Sequence, residues 1–182
     1  QTLPGNRDIL YGYDANGNVT SITPPGRPAH VFQHTDVNLR SEYNPPDVGL
    51  PLDKTVYNYN LDKDLTLITR PDGQTVMFNY ESSGRLDNVT IPSGVVDYSY
   101  NATTGQVSSI AFPGGETCTY LYDGFLLKKE TWAGSVAGNV SHDYGTGFRV
   151  LTQKINGSNN VNFQYDNDSL LTGAGGLALT RD

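Results

Sequence analysis

Hydrophobic and polar positions alternate in short blocks. The stretches Val76-Met77-Phe78-Asn79-Tyr80, Val96-Asp97-Tyr98-Ser99-Tyr100, Thr117-Cys118-Thr119-Tyr120-Leu121-Tyr122 and Val161-Asn162-Phe163-Gln164-Tyr165 set β-branched or aromatic residues at every second position. Period two puts one set of side chains on one face of a β-strand. A polar stretch follows, often closing on Gly: Asp14-Ala15-Asn16-Gly17, Glu81-Ser82-Ser83-Gly84, Asn101-Ala102-Thr103-Thr104-Gly105. Asp or Asn can cap such a reversal through its side chain, and Gly supplies a positive φ. A second apolar segment then leaves, at residues 19–22, 65–68, 86–91 and 107–112. It stops at Pro24-Pro25-Gly26, Pro71-Asp72-Gly73, Pro92-Ser93-Gly94 or Pro113-Gly114-Gly115. Proline there removes a ladder donor, so the strand ends and the chain turns again. The pattern predicts β-hairpins, among them 76–91, 96–112 and 117–129, with almost no helix.

The second aromatic of each aromatic-x-Tyr pair marks a repeat: Tyr13, Tyr59, Tyr80, Tyr100, Tyr122, Tyr144 and Tyr165. The steps after Tyr59 are 21, 20, 22, 22 and 21 residues. His34 stands 21 residues after Tyr13 and fills the missing beat; the longer step that follows carries an insertion around Asn44-Pro45-Pro46. Short connections force neighbouring strands antiparallel, so the expected fold is all-β: one meander of roughly 14–16 strands. Sheet twist should coil such a meander into a spiral or open-shell segment. Residues 1–182 read as a single repeat segment, with one irregular Pro-rich loop at about 44–51. The tail Gly173-Ala174-Gly175-Gly176 reads as the opening of a further repeat.

Composition narrows the function. Net charge is −7 with only 12 Lys and Arg among 182 residues, which argues against nucleic-acid or anionic-membrane binding. No apolar run is long enough to cross a bilayer as a helix. The single cysteine, Cys118, excludes an intrachain disulfide framework and a Cys-based zinc cluster. The chain begins at Gln1 and its one Met is Met77, so it is expected to be a piece of a longer protein.

At this point the residues resemble a known family. Tyr13-Asp14-Ala15-Asn16-Gly17-Asn18-Val19 is similar to the motif of the YD-repeat (Rhs, rearrangement-hotspot) proteins. Tyr122-Asp123-Gly124 and Tyr165-Asp166 keep the dipeptide. Tyr59-Asn60, Tyr80-Glu81 and Tyr100-Asn101 are degenerate copies, and His34-Thr35 and Tyr144-Gly145 depart furthest. The family includes bacterial Rhs proteins, components of toxin complexes and animal teneurins. The resemblance implies a β-sheet wound into a hollow shell that can enclose a toxin domain. It marks Tyr13, Asp14, Gly17, Tyr59, Tyr80, Gly84, Tyr100, Gly105, Tyr122, Asp123, Gly124, Tyr144, Tyr165 and Asp166 as structural repeat positions. Bacterial members release their cargo at an Asp-Pro-x-Gly motif; no Asp-Pro pair occurs here, so that activity transfers to no residue.

Other candidate chemistry reads as architecture. In Ser141-His142-Asp143, neighbours on a strand point to opposite faces, which does not build a triad. His30 and His34 lack the further ligands that a metal would need. Asp62-Lys63-Asp64 and Asp166-Asn167-Asp168 lack the Gly and distal Glu of a calcium loop and fall on turns. Sequons begin at Asn18, Asn88, Asn101, Asn139, Asn156 and Asn167, mostly where turn chemistry already calls for Asn. Cys118 reads as a packed thiol. The tyrosines are expected to fill the groove between hairpins with their hydroxyls hydrogen-bonded to a neighbour.

The reading is therefore a non-catalytic structural scaffold, a segment of β-shell from a large secreted or surface bacterial protein, enclosing a toxin or forming an extracellular assembly. No catalytic residue, metal or cofactor is assigned. Expected partners are the remaining repeats of the parent protein, or other copies joined by strand-edge pairing near 10–13 and 177–181. The alternative is an adhesion module that presents an aromatic-rich face, Trp132 included, to a glycan or receptor.

Overall fold

The computed structural model describes residues 1–5, 7–47 and 54–180, and none of them is helical. Its contacts divide the chain into two compact units, Gln1–Val95 and Val96–Asp182. The first unit opens with a small hairpin that the sequence pattern did not signal, β1 (Thr2–Leu3) against β2 (Arg7–Asp8). A meander follows: β3 (Leu10–Tyr13), β4 (Val19–Thr23), β5 (His30–His34), β6 (Arg40–Asn44), β7 (Thr55–Tyr59), β8 (Leu65–Thr69), β9 (Thr75–Tyr80) and β10 (Leu86–Ile91). Each strand from β3 to β10 pairs antiparallel with the next.

The second unit continues the same grammar. Its strands are β11 (Gly94–Tyr100), β12 (Val107–Ala111), β13 (Thr117–Asp123), β14 (Leu126–Ala133), β15 (Gly138–Tyr144), β16 (Val150–Ile155), β17 (Ser158–Tyr165), β18 (Leu171–Ala174) and β19 (Leu177–Ala178). They too pair in order, all antiparallel. The fold is an all-β antiparallel meander, as the alternation implies. The Pro-rich stretch begins where β6 ends, and residues 48–51 of it lie outside the described residues, as does Arg181 at the expected C-terminal edge.

Two details correct the reading of the sequence, and a third adds to it. Strands β3 to β19 alone exceed the expected range, because β19 adds a short strand after the last hairpin. Gly173 and Ala174 belong to β18, the return strand of that hairpin, so only Gly175-Gly176 turns the chain toward β19. Asp123 is paired with Leu126 inside the β13–β14 ladder, and the reversal is the two-residue loop Gly124-Phe125.

Burial follows the period of two. In β9, Val76, Phe78 and Tyr80 are half-buried while Thr75, Met77 and Asn79 are exposed. The same parity holds for Val96, Tyr98 and Tyr100 in β11 and for Val161, Phe163 and Tyr165 in β17. Cover is partial, and Cys118, at 3% exposure, is the one large exception among the described apolar side chains.

Candidate functional site

Each of the eight hairpins that carry a repeat aromatic bends at the same place. A register shift stands beside the repeat aromatic, where the return strand carries one extra residue: Thr20 beside Tyr13, Ser41 beside His34, Thr66 beside Tyr59, Asp87 beside Tyr80. The second unit repeats it with Ser108, Lys128, Leu151 and Thr172 beside Tyr100, Tyr122, Tyr144 and Tyr165. Such a bulge leaves a residue outside the ladder and increases local twist.

Between successive hairpins the ladder is short, and the strands part toward the turn tips. The β8–β9 ladder ends at Leu67 opposite Met77. Beyond it, the Tyr80 hydroxyl donates to the Leu65 carbonyl at 2.8 Å. Tyr59 donates to the Arg40 carbonyl at 2.8 Å, Tyr144 to Leu127 at 2.7 Å, and Tyr165 to Val150 at 2.9 Å. In all four, the tyrosine lies three residues past the last ladder pair and its acceptor two residues past it. Each acceptor is also the residue paired with the preceding repeat aromatic. The phenol therefore satisfies a main-chain carbonyl that the parted strands cannot, and at the three part-buried joints a carbonyl without a partner would be costly. Burial raises the hydroxyl pKa of Tyr59 and Tyr80 above the ordinary phenol value. At the β12–β13 junction, Gln106 Nε2 also donates to the Gly124 carbonyl at 3.0 Å, tying two tips together.

His34 occupies the tyrosine position between β4 and β5, three residues past the last ladder pair, Ser21 with Val31. Its Nδ1 is buried without a hydrogen-bond partner. An imidazole is shorter than a phenol, and the joint made elsewhere is missing its donor here. His142 Nδ1 is likewise buried and unpartnered; its ring lies 6.2 Å from Tyr144, and Asp143 instead pairs with Lys154 at 2.7 Å. The Ser141-His142-Asp143 run thus builds no relay.

The residue after the aromatic organises the turn. The Asp14 amide donates to the Asn18 carbonyl and the Gly17 amide to the Asp14 carbonyl, and the same pair of bonds recurs from Thr35, Asn60, Glu81, Gly145 and Asp166. The side chains of Asp14, Asn60 and Asp166 each accept the amide four residues on at 2.8 Å, and Thr35 Oγ1 does so at 3.1 Å. An oxygen one or two bonds beyond Cβ is what this cap requires, which accounts for Asp after Tyr. The hydrogen bond from the Asn18 side chain holds the Asp14 carboxyl below its usual range. The fourth turn residue takes a positive φ: +84° at Gly17 and +82° at Gly84, but also +71° at Lys63 and +58° at Phe148. The turn after Tyr100 is one residue longer and puts Gly105 at +73°, while Gly124 in its two-residue loop is at +59°.

Asp62 and Asp64 lie in the turn after Tyr59, and among the described residues no three His, Cys, Asp or Glu side chains gather into a metal-sized group. Asn101 Oδ1 accepts the amides of Thr103 and Thr104, and Asn156 Oδ1 accepts the Asn139 amide at 2.8 Å. Cys118 lies beside Tyr120, whose hydroxyl is pushed up to about 12 chiefly by its hydrogen bond with that thiol.

The teneurin YD-shell family model matches residues 2–182. The chain belongs to the teneurin YD-shell family. It is 24% identical to teneurin-3 of Danio rerio over 162 residues and 26% identical to teneurin-3 of Mus musculus over 163. These matches cover 84% of this chain and 6% of each relative, so the chain spans a small part of their length. Among solved structures, TcdB2-TccC3-TEV superposes with a TM-score of 0.73 at 15% identity, over 96% of this YD-shell chain and 11% of that one. The Photorhabdus luminescens Tc holotoxin pore gives 0.58 at 15% identity, over 94% of this chain and 12% of that one. At this identity the likeness is one of fold.

Proposed function

We propose that the chain is a load-carrying stretch of wall in a larger shell, with no chemistry of its own. The observation that carries this is the recurring joint: phenol hydroxyls at fixed register spend their bonding on the carbonyl of the hairpin before. Residues arranged to hold hairpins together, with cavities lined by repeat side chains, suit containment better than turnover. The fourteen repeat positions named from the sequence, with Tyr13, Asp14 and Gly17 first, are proposed to serve this role along a single segment.

In the parent protein, a large secreted or surface bacterial protein, the wall encloses a toxin domain or contributes to an extracellular assembly. Its partners are the neighbouring repeats of that protein, or other copies by strand-edge pairing. Protease protection of the full-length parent tests the reading. An enclosed segment stays intact in native buffer and is digested once denaturant opens the sheet. Digestion at the same rate in both conditions would exclude containment.

A further inference from the structure

The repeats serve as an internal comparison for one another, and one position breaks rank. The residue paired with the repeat aromatic is Val19, Leu65, Leu86, Val107, Leu127, Val150 or Leu171 in seven hairpins. In the remaining hairpin it is Arg40, paired with His34, the one aromatic mark that is not tyrosine. A departure from a rule kept elsewhere points to a requirement other than folding.

Arg40 opens onto a cleft of roughly 530 Å³ in the first unit, whose walls include Ile22, Pro24, Phe32, Tyr43 and Tyr57. Its guanidinium lies over the Phe32 ring, 4.7 Å from the centroid. Phe32 stacks on Tyr43 at 5.2 Å and 19°, and Tyr43 stacks on His30 at 6.0 Å and 4°. A 2.7 Å hydrogen bond between His30 Nδ1 and the Tyr43 hydroxyl ties the end ring to the middle one. The cation thus sits over the end of an aromatic row, yet Arg40 is exposed and the ion pairs among the described residues do not include it. Glu42, the acid of the same strand, lines a different cleft and pairs with Lys54 at 2.8 Å. A planar fork of donors beside apolar and aromatic walls is complementary to a carboxylate attached to an aromatic ring.

We propose that this cleft binds an aromatic carboxylate, with the acid group on Arg40 and the ring against Tyr57, Ile22 and Pro24. The group can belong to a free small acid or to an acidic residue beside an aromatic one in a polypeptide. Arg40→Leu tests it, because Leu is the repeat's own choice at this position and the main-chain carbonyl that receives Tyr59 is retained. Arg40→Gln, planar and uncharged, is the second variant.

The nitrogen-15-labelled chain is titrated with naphthoate, with the neutral naphthamide, and with a blocked Trp-Asp dipeptide. Saturable shifts confined to the cleft are expected for naphthoate at millimolar or tighter affinity. Both variants and the amide should bind at least about tenfold more weakly, as loss of a charge-assisted pair implies. Naphthoate binding without dipeptide binding assigns the site to free acids; the reverse assigns it to polypeptide. Binding of neither probe, or equal affinity in wild type and Arg40→Leu, overturns the proposal.

Discussion

The hydroxyl of Tyr80 donates to the carbonyl of Leu65, a residue that is itself paired across its own hairpin with Tyr59. One tyrosine thus closes the bulge that the previous tyrosine opened. Packing alone would accept phenylalanine at these positions; the acceptor explains the hydroxyl.

Tyr80→Phe and Tyr144→Phe should each destabilise the chain by about 1–3 kcal/mol, the cost of a desolvated carbonyl left without its donor. Tyr13→Phe should change little, since Tyr13 is 61% exposed. Urea unfolding of the three variants checks the contrast, and equal midpoints for all three would remove the joint from the account.

His34→Tyr runs the test in the opposite direction. A phenol at the joint between β4 and β5 supplies the donor that the buried imidazole does not, with the Val19 carbonyl as the acceptor at the repeat spacing. The expected gain is about 1 kcal/mol, read as a higher urea midpoint. A midpoint at or below wild type would mean that the parted strands here differ from those at the other joints.

Gly84→Val isolates backbone strain. A Cβ at Gly84 meets nothing within 4 Å, while φ is +82°, so the penalty is conformational. It should cost about 1–2 kcal/mol, and Gly84→Asn distinctly less. Thermal unfolding of both variants provides the comparison.

Acid and alkali should each loosen the sheet. Asp14 is lowered first by the Asn18 side chain, Glu81 by Arg85 and Asp143 by Lys154. A folded-state value below the unfolded one means stability that is present above the ordinary carboxylate range and lost as pH falls through the folded values. The denaturant midpoint should therefore drop below about pH 4, and less steeply in Asp14→Asn. At the other end, burial raises Tyr59 and Tyr80, and Tyr120 reaches about 12. Their contribution is complete below about pH 10 and is lost as pH climbs through the raised values. Phenolate absorbance should accordingly rise together with unfolding.

The hairpins were legible because alternation, a polar cap and Pro-x-Gly are all properties of side chains. The bulges were not. Thr20, Ser41 and Thr66 are ordinary strand residues, and a one-residue shift in pairing leaves no compositional mark. The tyrosines could be placed in the groove, but their acceptors are main-chain carbonyls, which every residue has. The Tyr122-Asp123 dipeptide gives no sign that the turn after it has shrunk to Gly124-Phe125. Arg40 could have been found by laying the repeats over one another, since charge stands there in a column of Val and Leu.

The four joints observed all point one way along the chain: the acceptor carbonyl belongs to an earlier residue than the phenol that seeks it. During synthesis each new hairpin therefore emerges to find its docking group already made. Separations of 15 to 19 residues keep these contacts local, so none of the four joints waits on a distant part of the sequence. The wall can be laid course by course from the ribosome, each course latched to the one beneath before the next arrives.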